Sequence, residues 1–222
     1  LVIQDCSSGG GRINYGMLPY FDEFWGSDDT DAKMRLFIQW GELNYFPAMA
    51  IAAHVSAERN HQTGRVTPIK FRMDVAMTGR LGMELQPSQM SKADFAFAKR
   101  GIAAYKQIRD VVQLGDLYRL HSPYEGDGVA SLMYVSNDKS RAAFFAYNYN
   151  YLFNQKIPSV QLGGLDPNRN YRIKELTPWD EKRPCSLDGK VISGKTLMEV
   201  GLNLRSLINY NDASVALELT EE

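Results

Sequence analysis

Three consecutive glycines, Gly9, Gly10 and Gly11, follow closely on the apolar run that opens the chain, LVIQDC. A glycine triplet does not sit inside a helix or strand; it marks a turn where backbone approaches something closely. In parallel α/β folds the carboxyl end of a strand is where ligands bind, so a buried strand that ends in such a turn narrows the choice of fold. No Gly-Lys-Ser/Thr follows, and a phosphate loop therefore fits poorly. A second apolar run, PAMAIAAHVS at 47–56, comes after a helical pattern carried by Met34, Phe37 and Ile38. Strand, helix and strand, with both strands fully apolar, is the signature of a parallel sheet with helices outside. Two strands cannot close such a sheet, and a barrel of eight βα units takes roughly 250 residues. Missing units are thus expected upstream of Leu1. An opening in mid-strand rather than on Met agrees with the C-terminal part of a longer protein.

Between the two apolar runs, residues 6–31 gather a lone thiol, an arginine, aromatics and acids. Tyr15, Tyr20, Phe21, Phe24 and Trp25 serve either as core or as a stacking wall for a sugar or base. Ser27, Asp28, Asp29, Thr30 and Asp31 then open the helix. Acids in a first helical turn are favoured by its exposed N–H groups, which accounts for one or two of them. Three acids in four residues beside a tryptophan exceed what a cap needs. An EF-hand loop would require a glycine and a terminal glutamate that are missing. Taken alone, Cys6 reads equally as a small buried hydrophobe or as part of a site. His54, on an apolar strand, reads as a core histidine, whereas His61 in the polar loop 60–65 divides between loop and site-lining roles.

Residues 67–113 show helical periodicity, with Gly79 and Gly82 breaking a first helix and Ser91 and Asp94 resembling a capping box before a second. Near Gly115 the texture changes to short apolar runs with turn signals between them, LYRL, VASLMYVS, AAFFAYNY, VQLGGL, YRIKEL, TLMEVG and SVALELT. That pattern predicts an antiparallel β-sandwich over 115–222, after a first part at 1–114. With 25 basic and 26 acidic residues and no run of either, no basic face is expected, which excludes nucleic-acid and membrane-surface partners. No apolar stretch approaches the ~20 residues that span a bilayer. Cys6 and Cys185 give no disulfide framework, and the three histidines form no zinc spacing.

Three segments in order, CSSGGGR, MLPYFDEFWGSDDTDAKMRLFIQWG and AAHVSAERNHQTGRVTP, resemble the C-terminal third of bacterial α-galactosidases of glycoside hydrolase family 36. The resemblance is dense over about residues 1–120 and continues beyond in order and character. It implies the C-terminal portion of a (β/α)8 TIM barrel followed by an antiparallel β-sandwich, with LVIQDC as strand seven and PAMAIAAHVS as strand eight. It places Asp28 as general acid/base, Trp25 as a site-lining residue, and Cys6 and Gly9 on the galactosyl 2-hydroxyl side. Arg12 would order the loop, Asp29 and Asp31 would cap the helix and shape the loop, and His61 is a further supporting candidate. The implied activity is retaining hydrolysis of terminal α-galactosyl groups from oligosaccharides such as melibiose and raffinose, without metal or cofactor. A retaining enzyme needs two carboxyls, and the family's nucleophile, the aspartate of a Lys-x-Asp motif on an earlier strand, has no counterpart here. The chain alone is therefore expected not to turn over. Homo-oligomerisation and a cytoplasmic location are implied by the resemblance only. Other readings on the same scaffold are a raffinose-synthase-type galactosyltransferase and an α-N-acetylgalactosaminidase. One from another class is a non-catalytic carbohydrate-binding sandwich module.

Overall fold

The computed structural model describes residues 1–6, 11 and 13–222. Two compact units emerge, Leu1–Ala96 and Phe97–Glu222.

The first unit is built on four short parallel strands. Strand β1 (Gln4–Asp5) pairs with β2 (Glu23–Phe24), and a parallel bridge from Phe24 to Ile51 leads on to β3 (Ala52–Ser56). Strand β3 pairs in turn with β4 (Arg80–Glu84), from Ala52 opposite Arg80 to Ser56 opposite Glu84. Helix α1 (Ala32–Glu42) connects β2 to β3, and α2 (Ile69–Ala76) connects β3 to β4. All five residues of β3 are buried, as expected of a strand covered on both faces. Every residue of α2 is buried too, including Lys70, Arg72 and Asp74. These charges are satisfied internally: Lys70 lies 3.1 Å from Asp74, and Arg72 donates to the carbonyls of Thr67 and Ser56.

Two expectations are corrected here. The parallel strands number four rather than two. Since three follow β1, residues 1–5 cannot be the seventh strand of an eight-stranded barrel, nor 52–56 the eighth. Residues 67–113 are not all helical either, because β4 lies between α2 and the long helix α3 (Lys92–Leu114). Gly79 and Gly82 do not break a helix: Gly79 precedes β4 at a point of close approach, and Gly82 lies within β4 at ordinary contact distance. A Cβ on Gly79 would lie 2.8 Å from the Ile51 carbonyl oxygen, and one on Gly82 would lie 3.4 Å from that of Ala53. Residues of β4 are half-buried to exposed, so no apolar run announces the strand.

The second unit carries most of α3 and a six-stranded antiparallel sheet. Its strands are β5 (Asp116–His121), β6 (Val129–Val135), β7 (Arg141–Asn148), β9 (Asn170–Glu175), β10 (Val191–Ser193) and β12 (Ala213–Glu221). They lie in the order β10-β9-β12-β7-β6-β5. A second, two-stranded layer pairs β8 (Ser159–Val160) with β11 (Leu202–Asn203). Between the layers Met133, Phe144, Ile173 and Leu217 of the sheet pack with Val160, Leu162, Leu202 and Ile208. TLMEVG, expected as a strand, contributes to helix α4 (Gly194–Glu199), which the Ser193 side chain caps by accepting from the Thr196 N–H. The units part inside α3, while the passage from helix to strand falls between Leu114 and Asp116.

Candidate active site

The loop that leaves β2 holds three acids at three depths. Trp25 comes first, and its N–H bonds the Asp5 carbonyl at 2.8 Å, which keeps the exit of β2 in register with β1. Asp31 is fully buried and caps α1, accepting from the N–H groups of Lys33 and Met34. Its second oxygen takes hydrogen bonds of 2.5 Å from the Thr63 hydroxyl and the Arg65 guanidinium. Burial works to raise its pKa, but those two donors and the Lys33 N–H outweigh it and hold the group below the ordinary aspartate value. Asp29 closes a local turn by accepting from the Asp31 N–H at 2.9 Å. Asp28 is exposed. One of its carboxylate oxygens accepts from Trp25 Nε1 at 3.2 Å.

The loop after β3 fixes the backbone on both sides of this carboxyl. Gln62 donates to the Asp28 carbonyl at 2.8 Å and accepts from the Thr30 N–H at 2.9 Å. Asn60 donates to the Thr30 hydroxyl at 2.8 Å, while its own oxygen accepts from the Gln62 and Thr63 N–H groups. Gly64, at φ 71°, allows the chain to turn back. Both loops leave the carboxyl ends of parallel strands, the end where α/β folds place their sites. The backbone is thus clamped while the Asp28 side chain meets solvent.

Beneath Trp25 lies His54, its ring stacked on the indole at 4.5 Å between centroids and 15° between planes. Burial, together with the positive charge of Arg35, pushes the imidazole down to about 3, so it is neutral near pH 7. Its Nε2 is 3.0 Å from a Glu84 carboxylate oxygen, but without the alignment of a hydrogen bond; neither ring nitrogen has such a partner among the described residues. Glu84, at the end of β4, is raised mainly by burial, against lowering by His61 and Arg35, with the negative charge of Asp28 adding least. Asp28, His61 and Glu84 therefore share one electrostatic neighbourhood.

Two ionisable side chains with buried polar atoms underlie the loop. Arg35 is wholly buried and donates to the Ser27 carbonyl at 3.2 Å and to the Ala52 carbonyl at 2.9 Å, so it ties the acid loop to β3. Glu42, two turns along α1, fills the space that a side chain on Gly26 would occupy. Neither of its carboxylate oxygens has a hydrogen-bond partner among the described residues. Burial raises it to about 7, against a smaller lowering by Arg35.

The model of the melibiase family matches residues 1–115. The chain belongs to the melibiase family. The glycosyl hydrolase family 36 C-terminal domain matches residues 129–217. Among curated relatives, the probable alpha-galactosidase G of Aspergillus terreus is 38% identical over 97% of this chain and 28% of its own length. Alpha-galactosidase AgaA of Geobacillus stearothermophilus is 42% identical over 79% of the chain and 24% of its own length. A crystal structure of an AgaA variant in complex with raffinose covers the whole chain, and 29% of itself, at TM-score 0.87 and 37% identity. This melibiase-family chain therefore spans under a third of the relatives it matches, and it has their fold: the C-terminal part of a (β/α)8 barrel followed by a β-sandwich.

The structure brings Trp25, Asp28, Asp29, Asp31 and His61 together around the two loops. Cys6 is free and exposed directly after β1. Gly9 and Arg12 lie outside the described residues. Among the described residues no cluster of three or more His, Cys, Asp or Glu is arranged to hold a metal, and no helix there is long and apolar enough to cross a membrane. A cavity of about 370 Å³ in the second unit, lined by residues including Arg100, Gln107, Lys174 and Asp188, contains none of the expected residues. Sequence reasoning missed Arg35, Glu42, Glu84 and the part played by His54. One signal was available: Arg35, Gln39 and Glu42 fall at i, i+4 and i+7, a polar line on a helix whose neighbouring positions are apolar.

Proposed function

We propose that the chain supplies the acid/base half of a retaining α-galactosidase site, with Asp28 as the proton carrier and terminal α-galactosides such as melibiose and raffinose as substrates. The observation that carries this reading is the Trp25–Asp28 contact at the carboxyl ends of parallel strands. Trp25 engages one oxygen of an exposed carboxyl, and the other stays available to hold and transfer a proton. In a retaining reaction a second carboxylate attacks the anomeric carbon while the acid protonates the departing oxygen; the same group, now a base, then takes a proton from the incoming water. Asp31 has both oxygens committed to the helix cap and the loop after β3, and Asp29 is less exposed than Asp28 and closes the turn with one oxygen. The attacking carboxylate belongs to an aspartate outside these 222 residues, so the isolated chain hydrolyses nothing. On this reading Cys6 lies on the galactosyl 2-hydroxyl side and Trp25 lines the ring, while Gly9, expected beside Cys6, is outside the described residues.

The test uses the full-length protein with Asp28→Asn, comparing melibiose with an aryl α-galactoside whose leaving group needs no protonation. Melibiose turnover falls by a factor of about 10²–10⁴, the usual contribution of a positioned acid. Galactosylation by the activated substrate survives, and added azide yields a galactosyl azide of retained configuration. Equal rates for wild type and variant on both substrates would remove Asp28 from the chemistry.

A further inference from the structure

We propose that His54 is a positioning residue for the acid: its ring is the flat floor on which Trp25 lies, and Trp25 in turn aims the Asp28 carboxyl. The inference rests on the reading of Asp28 as acid/base, and three observations carry it. Among the described residues, the indole has a ring partner at its face and a hydrogen-bond partner at its edge. Its face lies on His54 at 4.5 Å and nearly parallel, and its edge N–H points to Asp28 at 3.2 Å. Any swing of the indole about its own Cα–Cβ bond therefore moves the carboxyl it holds. Second, the floor is rigid. His54 lies in the middle of β3, opposite Gly82 in the β3–β4 register, and its side chain is 2% exposed. Third, the polar ring is held without hydrogen bonds: neither nitrogen has a partner among the described residues, and Glu84 lies near Nε2 at 3.0 Å but out of line. An unsatisfied buried nitrogen destabilises a fold, which calls for an account of why the group is there. A flat face stacked on the indole at 4.5 Å and 15° supplies one, because aromatic pairs gain energy beyond the area they bury.

The proposal separates His54 from an ordinary core residue by leaving-group dependence. Proton donation matters for a sugar leaving group and hardly at all for an activated aryl group, so misaiming the acid harms only the former. In the full-length protein, His54→Leu fills the same space without a flat face, and His54→Phe keeps the flat face without the nitrogens. With His54→Leu, kcat/KM for melibiose falls about 10- to 100-fold, the scale of a roughly 1 Å misplacement, while the value for 2,4-dinitrophenyl α-galactoside changes less than about threefold. His54→Phe stays close to wild type on both substrates. Equal losses on the two substrates with His54→Leu, or a melibiose loss with His54→Phe as large as with His54→Leu, would overturn the proposal. Asp28→Asn is the reference: if it separates the substrates and His54→Leu does not, positioning alone fails. If Asp28→Asn does not separate them, the acid/base reading fails and the positioning claim with it.

Discussion

Glu42 offers a direct measurement of the stress beneath the acid loop. Its carboxyl is buried against Gly26 without a hydrogen-bond partner among the described residues, and burial raises it from 4.5 to about 7. Between those values the folded chain keeps a proton that the unfolded chain has released. Stability therefore falls as pH rises through this window and is flat on either side. A displacement of that size corresponds to about 3 kcal/mol at full extent, of which about 2–3 kcal/mol develops between pH 5 and pH 8. Glu42→Gln keeps the shape and removes the titration. Urea unfolding in a Trp179→Phe background reports on the first unit through Trp25 and Trp40, which both belong to it. The stability of Glu42→Gln relative to its parent should improve by about 2–3 kcal/mol from pH 5 to pH 8. A difference that stays constant over this range would refute the reasoning, because it would mean that Glu42 is ionised and fully compensated by Arg35.

Asp31→Ala leaves two helix N–H groups, the Thr63 hydroxyl and the Arg65 guanidinium without their acceptor, and should destabilise the first unit by about 3 kcal/mol. Because the folded value is depressed below 3.8, that gap is present above pH 3.8 and closes as pH falls through the folded value, as acid titration of both proteins by circular dichroism would show. Gly79→Ala drives a methyl against the Ile51 carbonyl at 2.8 Å and should cost about 1–3 kcal/mol, with faster exchange of the Arg80 amide that bonds this carbonyl.

Legibility followed local signals. The N-cap at Asp31 was readable because capping is decided within three residues, and the strands β6, β7 and β12 because their apolar runs are bounded by turn residues. Strand β4 was not, since a strand that is half-exposed shows neither an apolar run nor a clean alternation, and Gly79 and Gly82 look like helix breakers until the neighbouring backbone is in view. The stack of His54 on Trp25 joins residues 29 positions apart, and no periodicity connects them. Glu84 and Asp28 meet only because β2, β3 and β4 are parallel and put their carboxyl ends side by side. Parallel sheets hide their sites from sequence for this reason: each strand contributes its last residue, and the intervening helix separates those residues in the chain.

Three acids within four residues divide the labour by depth, and the division follows from the donors each one meets. Asp31 has four donors and no exposure, so its charge is committed to the helix and to the loop after β3. Asp29 receives the Asp31 N–H and holds the turn that lets Asp31 reach inward. What is left for Asp28 is a backbone pinned by Gln62 and a carboxyl touched by the Trp25 indole alone among the described residues. Under the acid/base role proposed for Asp28 this combination is what a proton carrier needs, because a mobile backbone would lose aim and a saturated carboxylate would have no oxygen to offer. Buried Arg35 extends the same logic below the loop: by binding the carbonyls of Ser27 and Ala52 at once, it transfers the stiffness of β3 to the residue preceding Asp28. An apolar residue in its place would leave both carbonyls unpaired in the interior, at about 1–3 kcal/mol each, and would release the loop from the strand.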